Sequence, residues 1–169
     1  MKKNFIFLIL IGILIMGCSN EDTKVNANGS NEEIENKIIN DVKRMNSVNW
    51  EPTGTFKSEE YVMRGIPNEI GFIDETFTAG VTKKYMWHFW GESLEGNLRI
   101  VAVKEGELRP TPVLVKDEEQ VWTYNKPLAG INGADIHIPS NMKIPESGKW
   151  ALLVYLGEKY INTIVVEVE

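Results

Sequence analysis

The clearest alternation along the chain is near its C-terminal end. From Trp150 onward, Trp150, Leu152, Val154 and Leu156 fall on one side of a period-two ribbon, with Ala151, Leu153 and Tyr155 on the other. Gly157-Glu158-Lys159 is a turn signal, and Tyr160 to Val168 returns, closing on Ile164-Val165-Val166-Glu167-Val168. Ahead of this hairpin, Ile144-Pro145-Glu146-Ser147-Gly148-Lys149 turns the chain through a corner. A strand apolar on both sides needs cover on both sides, which predicts a hairpin inside a two-layer β structure. Trp150, opening the strand just after a glycine, is expected between the layers.

The same punctuation runs back to Trp50. Short apolar segments at Trp50-Glu51-Pro52, Tyr61 to Ile66, Ile70 to Phe72 and Phe77 read as early strands or their edges. Lys84 to Trp90 is a stronger strand. Asn97 to Lys104 returns from the turn at Gly91 to Gly96, with Leu98, Ile100 and Ala102 facing opposite to Val101 and Val103. Val113 to Val115, Gln120 to Tyr124 and Ala134 to Ile138 follow, the last after a glycine-rich loop from Gly130 to Gly133. Turns at regular spacing, with β-branched and aromatic residues between them, predict an all-β sandwich.

The first half of the pattern differs. Met1-Lys2-Lys3 is followed by an apolar run from Phe5 to Met16, interrupted only by Gly12, which ends at Gly17-Cys18 before Ser-Asn-Glu-Asp. The run is short of the ~20 apolar residues that a membrane span needs. It resembles a bacterial lipoprotein signal, with Ile15 where the pattern usually has Leu and Met16 where a small residue is usual. Cys18 is the only cysteine, so no internal disulfide is available to it, and it is the expected lipidation site. The alternative is an ordinary secretory signal with an incidental cysteine. Ser19 to Ser30 is polar and aperiodic, a flexible tether. Ile34, Ile38, Ile39, Val42 and Met45 then recur at helical spacing, as an amphipathic helix packed on the domain or a marginal helix within the tether.

These patterns divide the chain into a signal at 1–17, a tether with a short helix at 18–48, and one sandwich domain at 49–169. Cleavage before Cys18 removes Lys2 and Lys3, leaving 16 basic against 24 acidic residues and a net charge of −8. Such a surface argues against nucleic acid as a partner and against electrostatic docking on anionic lipid. A diacylated Cys18, carrying palmitate-type chains, would hold the protein on the membrane without a basic patch.

Gly133-Ala134-Asp135-Ile136-His137-Ile138-Pro139-Ser140, the Pro-x-x-Gly-x-Trp of Pro145 to Trp150, the closing Ile-Val-Val-Glu-Val and Tyr85-Met86-Trp87-His88-Phe89-Trp90-Gly91 resemble lipoproteins of Bacillus-type bacteria. The resemblance covers roughly Trp50 to the end. It implies an immunoglobulin-like antiparallel β-sandwich of unknown function on the extracytoplasmic face of the cell membrane, and it brings no catalytic residue with it.

Alternation on Lys84 to Trp90 puts Tyr85, Trp87 and Phe89 on one face and Met86, His88 and Trp90 on the other. The first set suits a core. The second is either a half-buried edge with a hydrogen-bonded imidazole or a binding surface. The other histidine, His137, has Met142 five residues on, and two imidazoles with two thioethers suit Cu(I). Against copper, these residues show no metal-ligand spacing, so no metal ligand and no cofactor is assigned. Asp135 and His137 with Ser140 are the nearest approach to a hydrolytic set, but no Gly-x-Ser-x-Gly elbow, phosphate loop or zinc signature accompanies them. The expected function is therefore a non-catalytic binding module, engaging a protein, an envelope polymer or a small ligand. Its candidate surface is Met86, His88 and Trp90 with His137 and Met142. A copper-binding domain is the alternative and a hydrolase the less favoured one. The two histidines are expected to lie apart.

Overall fold

The structure, a computed structural model, describes residues 40–169. Cys18, the signal and the polar tether lie outside the described residues. The described residues open in a helix, α1 (described over 40–46), and continue through eleven strands. These are β1 (Thr55–Ser58), β2 (Tyr61–Ile66), β3 (Ile70–Ile73), β4 (Lys83–Phe89), β5 (Leu98–Lys104), β6 (Leu114–Lys116), β7 (Glu119–Val121), β8 (Leu128–Ala129), β9 (Ile136–Met142), β10 (Gly148–Leu156) and β11 (Lys159–Val168). They form two antiparallel sheets, a large one in the order β1-β2-β3-β4-β9-β6-β7 with β8 also on β9, and a small one in the order β11-β10-β5. The predicted antiparallel sandwich is the fold.

The core lies between the sheets. Phe72, Tyr85, Trp87, Phe89, Leu114, Ile138 and Met142 come from the large sheet. They meet Leu98, Ile100, Trp150, Leu152, Val154, Ile164 and Val166 from the small one. Trp150 is 2% exposed and donates its indole N–H to the Glu146 carbonyl at 3.0 Å, which ties the strand to the corner before it. The alternation read from β4, β5 and β10 is the alternation observed.

Both long edges of the small sheet are occupied. Along β5, Ala102 exchanges backbone hydrogen bonds with Thr111, and Leu98 and Ile100 bond to the segment 122–125. This is why β7 stops at Val121 although the apolar pattern runs on to Tyr124. The chain leaves the large sheet there and crosses to β5. Along β11, Phe77 bridges Val168, and Thr53 bonds to Val165. An open sandwich edge would offer unpaired N–H and C=O groups to any passing strand, and these crossings pair several of them.

The outer face of the small sheet is sealed as well. Val101, Val103, Ala151, Leu153, Tyr155 and Val165 form a second apolar cluster, buried beneath Met45 and flanked by Val48, Trp50 and Tyr160. Asp41 of α1 accepts a hydrogen bond from the Tyr155 hydroxyl and pairs with Arg99 at 3.3 Å. The Arg99 guanidinium lies 3.7 Å from the centre of the Tyr155 ring, and that of Arg44 lies 4.3 Å from the Tyr160 ring. The tether boundary drawn at residue 48 therefore falls inside packed structure, because residues 40–48 cover a sheet face that would otherwise meet water. A helix packed on the domain is the reading that applies from residue 40 onward.

Strand β9 runs through Pro139, beyond its expected end at Ile138. A proline has no N–H for a ladder, but β9 is paired on the side away from β4 only at 136–137 by β8 and at 141–142 by β6. Pro139 sits between those two contacts, where that edge of β9 carries no strand.

Candidate functional site

Residues directly opposite on paired strands project from the same face of a sheet. One such row crosses the large sheet through Gly65, Gly71, His88, His137 and Leu128, on β2, β3, β4, β9 and β8 in turn. The row lies on the outer face, away from the core. The two histidines, expected to lie apart, are thus cross-strand neighbours with ring centroids 6.5 Å from each other. Their distance depends on the β4–β9 register, which local pattern does not reveal.

His88 is fully buried although it faces outward. Its cover comes from Trp90, 6.3 Å away between ring centres, and from the loop before β9. Phe56 packs edge-on against Trp90 at 5.7 Å and lies over Gly71, where a Cβ would come within 3.0 Å of the phenyl ring. The loop folds tightly enough that a Cβ on Gly130 would stand 2.1 Å from the Ala134 carbonyl oxygen, which requires glycine there. That turn delivers Asn132 to His88 and the Gly133 carbonyl to the Trp90 indole N–H.

The hydrogen bonds of His88 define one neutral tautomer. Nδ1–H donates to the Met86 carbonyl at 2.9 Å, and Nε2 accepts from the Asn132 amide at 3.0 Å. Burial lowers its pKa, opposed by the Met86 carbonyl and reinforced by His137. His137 donates through Nδ1 to the Ala129 carbonyl, and its ring is half-buried with Nε2 unengaged among the described residues. Met86, opposite Pro139, and Trp90 are also half-buried.

The remaining sequence candidates separate. Met142 is on the core face, 1% exposed, because five residues from His137 along one strand reverses the side. It does not belong to the surface assigned to it. Ser140 is buried on that same core face and accepts from the Trp87 indole at 3.2 Å. Asp135 accepts from the Gly91 backbone N–H at 2.8 Å. The set Asp135, His137 and Ser140 therefore does not converge. A soft copper site would need His88 to give up one of its two hydrogen bonds and Met142 to cross the sheet, so this donor set does not fit copper. No cluster of three or more His, Cys, Asp or Glu side chains suited to a metal occurs among the described residues.

What sequence reading missed is the second half of this face. Beyond Met86–Pro139 the next outward row is Lys84, Asn141, Val115 and Gln120, across β4, β9, β6 and β7. Asn141, Val115 and Gln120 of this row floor a polar cleft of about 700 Å³ walled by the β6–β7 hairpin, Tyr124 and Asn125. No local signal marks these residues, since each belongs to a different strand or loop.

Fold and site define a two-sheet all-β domain with one outer face sealed by its own N-terminal segment and the other open. The chain belongs to the family described as Domain of unknown function (DUF4871), which it matches over residues 40–166. A crystal structure described as "a Putative Lipoprotein from Bacillus anthracis" is similar, at 34% sequence identity and a TM-score of 0.66, over 74% of this chain and 90% of that one. The resemblance to Bacillus-type lipoproteins of unknown function is thereby borne out. Comparison with curated proteins finds no match.

Proposed function

We propose that this protein is a lipid-anchored, extracytoplasmic binding module, held on the membrane through Cys18 and engaging its ligand on the outer face of the large sheet. Two features support the anchor. The apolar run 5–16 leads to the only cysteine, and the similar Bacillus anthracis protein is described as a lipoprotein.

The observation that carries the binding surface is the contrast between the two outer faces. Residues 40–50 cover the small sheet's outer face, whereas the large sheet's presents half-buried Met86, Trp90 and His137 beside exposed Leu128 and Ile131. Aromatic, thioether and imidazole groups offer adaptable contact area at moderate desolvation cost. The role is non-catalytic, because the polar groups around His88 are consumed in holding it neutral and in place.

The test is cosedimentation of the full chain with cell-wall material stripped of lipid by detergent. Wild-type protein is expected to pellet with the wall. The double variant Leu128→Ser, His137→Ala is expected to bind at least about tenfold more weakly, the loss of roughly one good contact. Equal binding by the variant would remove this face from consideration.

A further inference from the structure

The polar cleft lies on the same face as the histidine row and in line with it. Along β9, His137, Pro139 and Asn141 project outward, with Lys143 just past the strand's end, and the β4 partners of the three run His88, Met86, Lys84. Four residues of strand separate the two rows, about 13 Å at ~3.3 Å per residue. The face is thus a track, with an imidazole and an indole at one end, Met86–Pro139 in the middle and the cleft at the other end.

The cleft is built to meet a polar, uncharged ligand. Its volume is within the range of small-ligand sites, roughly 300–1,000 Å³. Three primary amides line it, from Gln120, Asn125 and Asn141. Gln120 is held in position, its amide nitrogen donating to the Pro112 carbonyl at 2.7 Å and to that of Lys143 at 3.1 Å, which leaves its oxygen as an acceptor. Tyr124 and Asn125 are fixed through the backbone of Leu98, by Tyr124 N–H to Leu98 O at 2.7 Å and Leu98 N–H to Asn125 O at 3.3 Å. The side chains of Asn125, Asn141 and Tyr124 make no hydrogen bond among the described residues, so their donors and acceptors are available. Lys116 and Lys143 are balanced by Asp117 and Glu118 on the same walls, which leaves no single-sign field for a polyanion or polycation.

We propose that this cleft and the strip leading from it bind a chain of N-acetylated amino sugars. An acetamido group presents one N–H and one C=O, the complement of a primary amide side chain. Sugar hydroxyls pair with the remaining amides, the Tyr124 hydroxyl and the lysines. The C–H faces of successive rings lie over Met86, Pro139 and the His137 imidazole, which gives the track its length. Gln120, held in advance by its two hydrogen bonds, loses little freedom on binding, and that favours affinity. The inference rests on the binding reading above and gives its surface a ligand class.

The experiment is depletion of the full chain, in detergent micelles, from solution by insoluble chitin, with cellulose as the polysaccharide lacking acetamido groups. Chitin is expected to deplete the wild-type protein at least about tenfold more strongly than cellulose, with release by soluble chitotetraose. Asn141→Ala and Lys143→Ala, both on the cleft surface and outside the core, are expected to lower chitin binding about tenfold with an unchanged unfolding midpoint. Tyr124→Phe is expected to lower it less, because the ring remains. No depletion by chitin, equal depletion by cellulose, or variants that bind as wild type would each overturn the proposal. Should chitin fail while lipid-stripped wall still binds and loses binding in the Leu128→Ser, His137→Ala variant, the sugar class falls and the binding face stands. Should the wall not bind either, both fall.

Discussion

Residues 40–48 make a specific energetic claim on the rest of the domain. Met45 is 5% exposed and closes the apolar cluster on the outer face of the small sheet. Replacing it with alanine removes most of a buried thioether side chain. Burial of a Met side chain is worth about 1.5–3 kcal/mol, and large-to-small changes in cores extend to about 2–5 kcal/mol where the gap does not collapse. Met45 covers its cluster from one side only, at the last turn of α1 where the gap can partly close, so Met45→Ala is expected to cost about 2–3 kcal/mol. A chain beginning at Asn46 loses Met45 and also the Asp41 carboxylate. The Tyr155 hydroxyl and the half-buried Arg99 guanidinium, whose Nε and one terminal nitrogen already lack partners, would then share no acceptor. Leaving such groups unpaired adds roughly 1–3 kcal/mol, for a total near 3–6 kcal/mol. Against a usual domain stability of about 5–15 kcal/mol, that is a large share. Urea titration of the full chain, Met45→Ala and the shortened chain measures it. A shortened chain within about 0.5 kcal/mol of the full one would refute the view that this segment belongs to the fold.

Three further outcomes follow from single positions. Trp150→Ala empties a site between the sheets and breaks the bond to Glu146, for an expected loss of about 3–5 kcal/mol; a loss below about 1 kcal/mol in denaturant titration would contradict the packing. His88 has a lowered pKa in the folded domain, so below the ordinary histidine value of about 6.5 the unfolded chain takes up a proton that the folded chain resists. Stability contributed by neutral His88 is full above that value and falls with acidification towards the lowered folded pKa, with a slope of at most about 1.4 kcal/mol per pH unit. His88→Gln should flatten that slope in urea midpoints taken across the interval, and an unchanged slope would place its origin elsewhere. Cys18→Ser should abolish incorporation of a labelled fatty acid, and a label that persists would remove the anchor from Cys18.

The sandwich was legible because β10 advertises it. A strand with Trp150, Leu152 and Val154 on one side and Ala151, Leu153 and Tyr155 on the other can exist only with cover on both sides, and the structure provides the large sheet for one and α1 for the other. The candidate site was legible in its components and not in its arrangement. Alternation placed Met86, His88 and Trp90 on one face, but the meeting of His88 with His137 depends on a register between strands distant in sequence. Met142 was misplaced because Pro139 read as a strand end, which concealed that one strand carries His137 and Met142 on opposite faces. β1 and β8 are too short to generate a pattern, and the cleft draws its residues from four separate segments. The helical spacing around Met45 showed an amphipathic segment, but a local pattern cannot name the face it will cover.

The place of β10 has a consequence for how the chain acquires its structure. β10 is the central strand of the small sheet, paired on one side with β5, from Trp150–Lys104 to Leu156–Leu98, and on the other with β11. The large sheet can draw on segments made earlier, and β5 offers it Leu98 and Ile100, but the rest of the facing layer, Trp150, Leu152, Val154, Ile164 and Val166, is missing until β10 and β11 exist. Synthesis proceeds from the N-terminus at about 5–20 residues per second, so closure of the core waits on one of the last segments to emerge. Pairing β5 with β10 also joins distant parts of the chain, which slows the step that completes the fold. A nascent chain arranged in this way completes its small sheet only near the end of its production. The same delay leaves part of the large sheet's aromatic inner face without its full cover until β10 emerges.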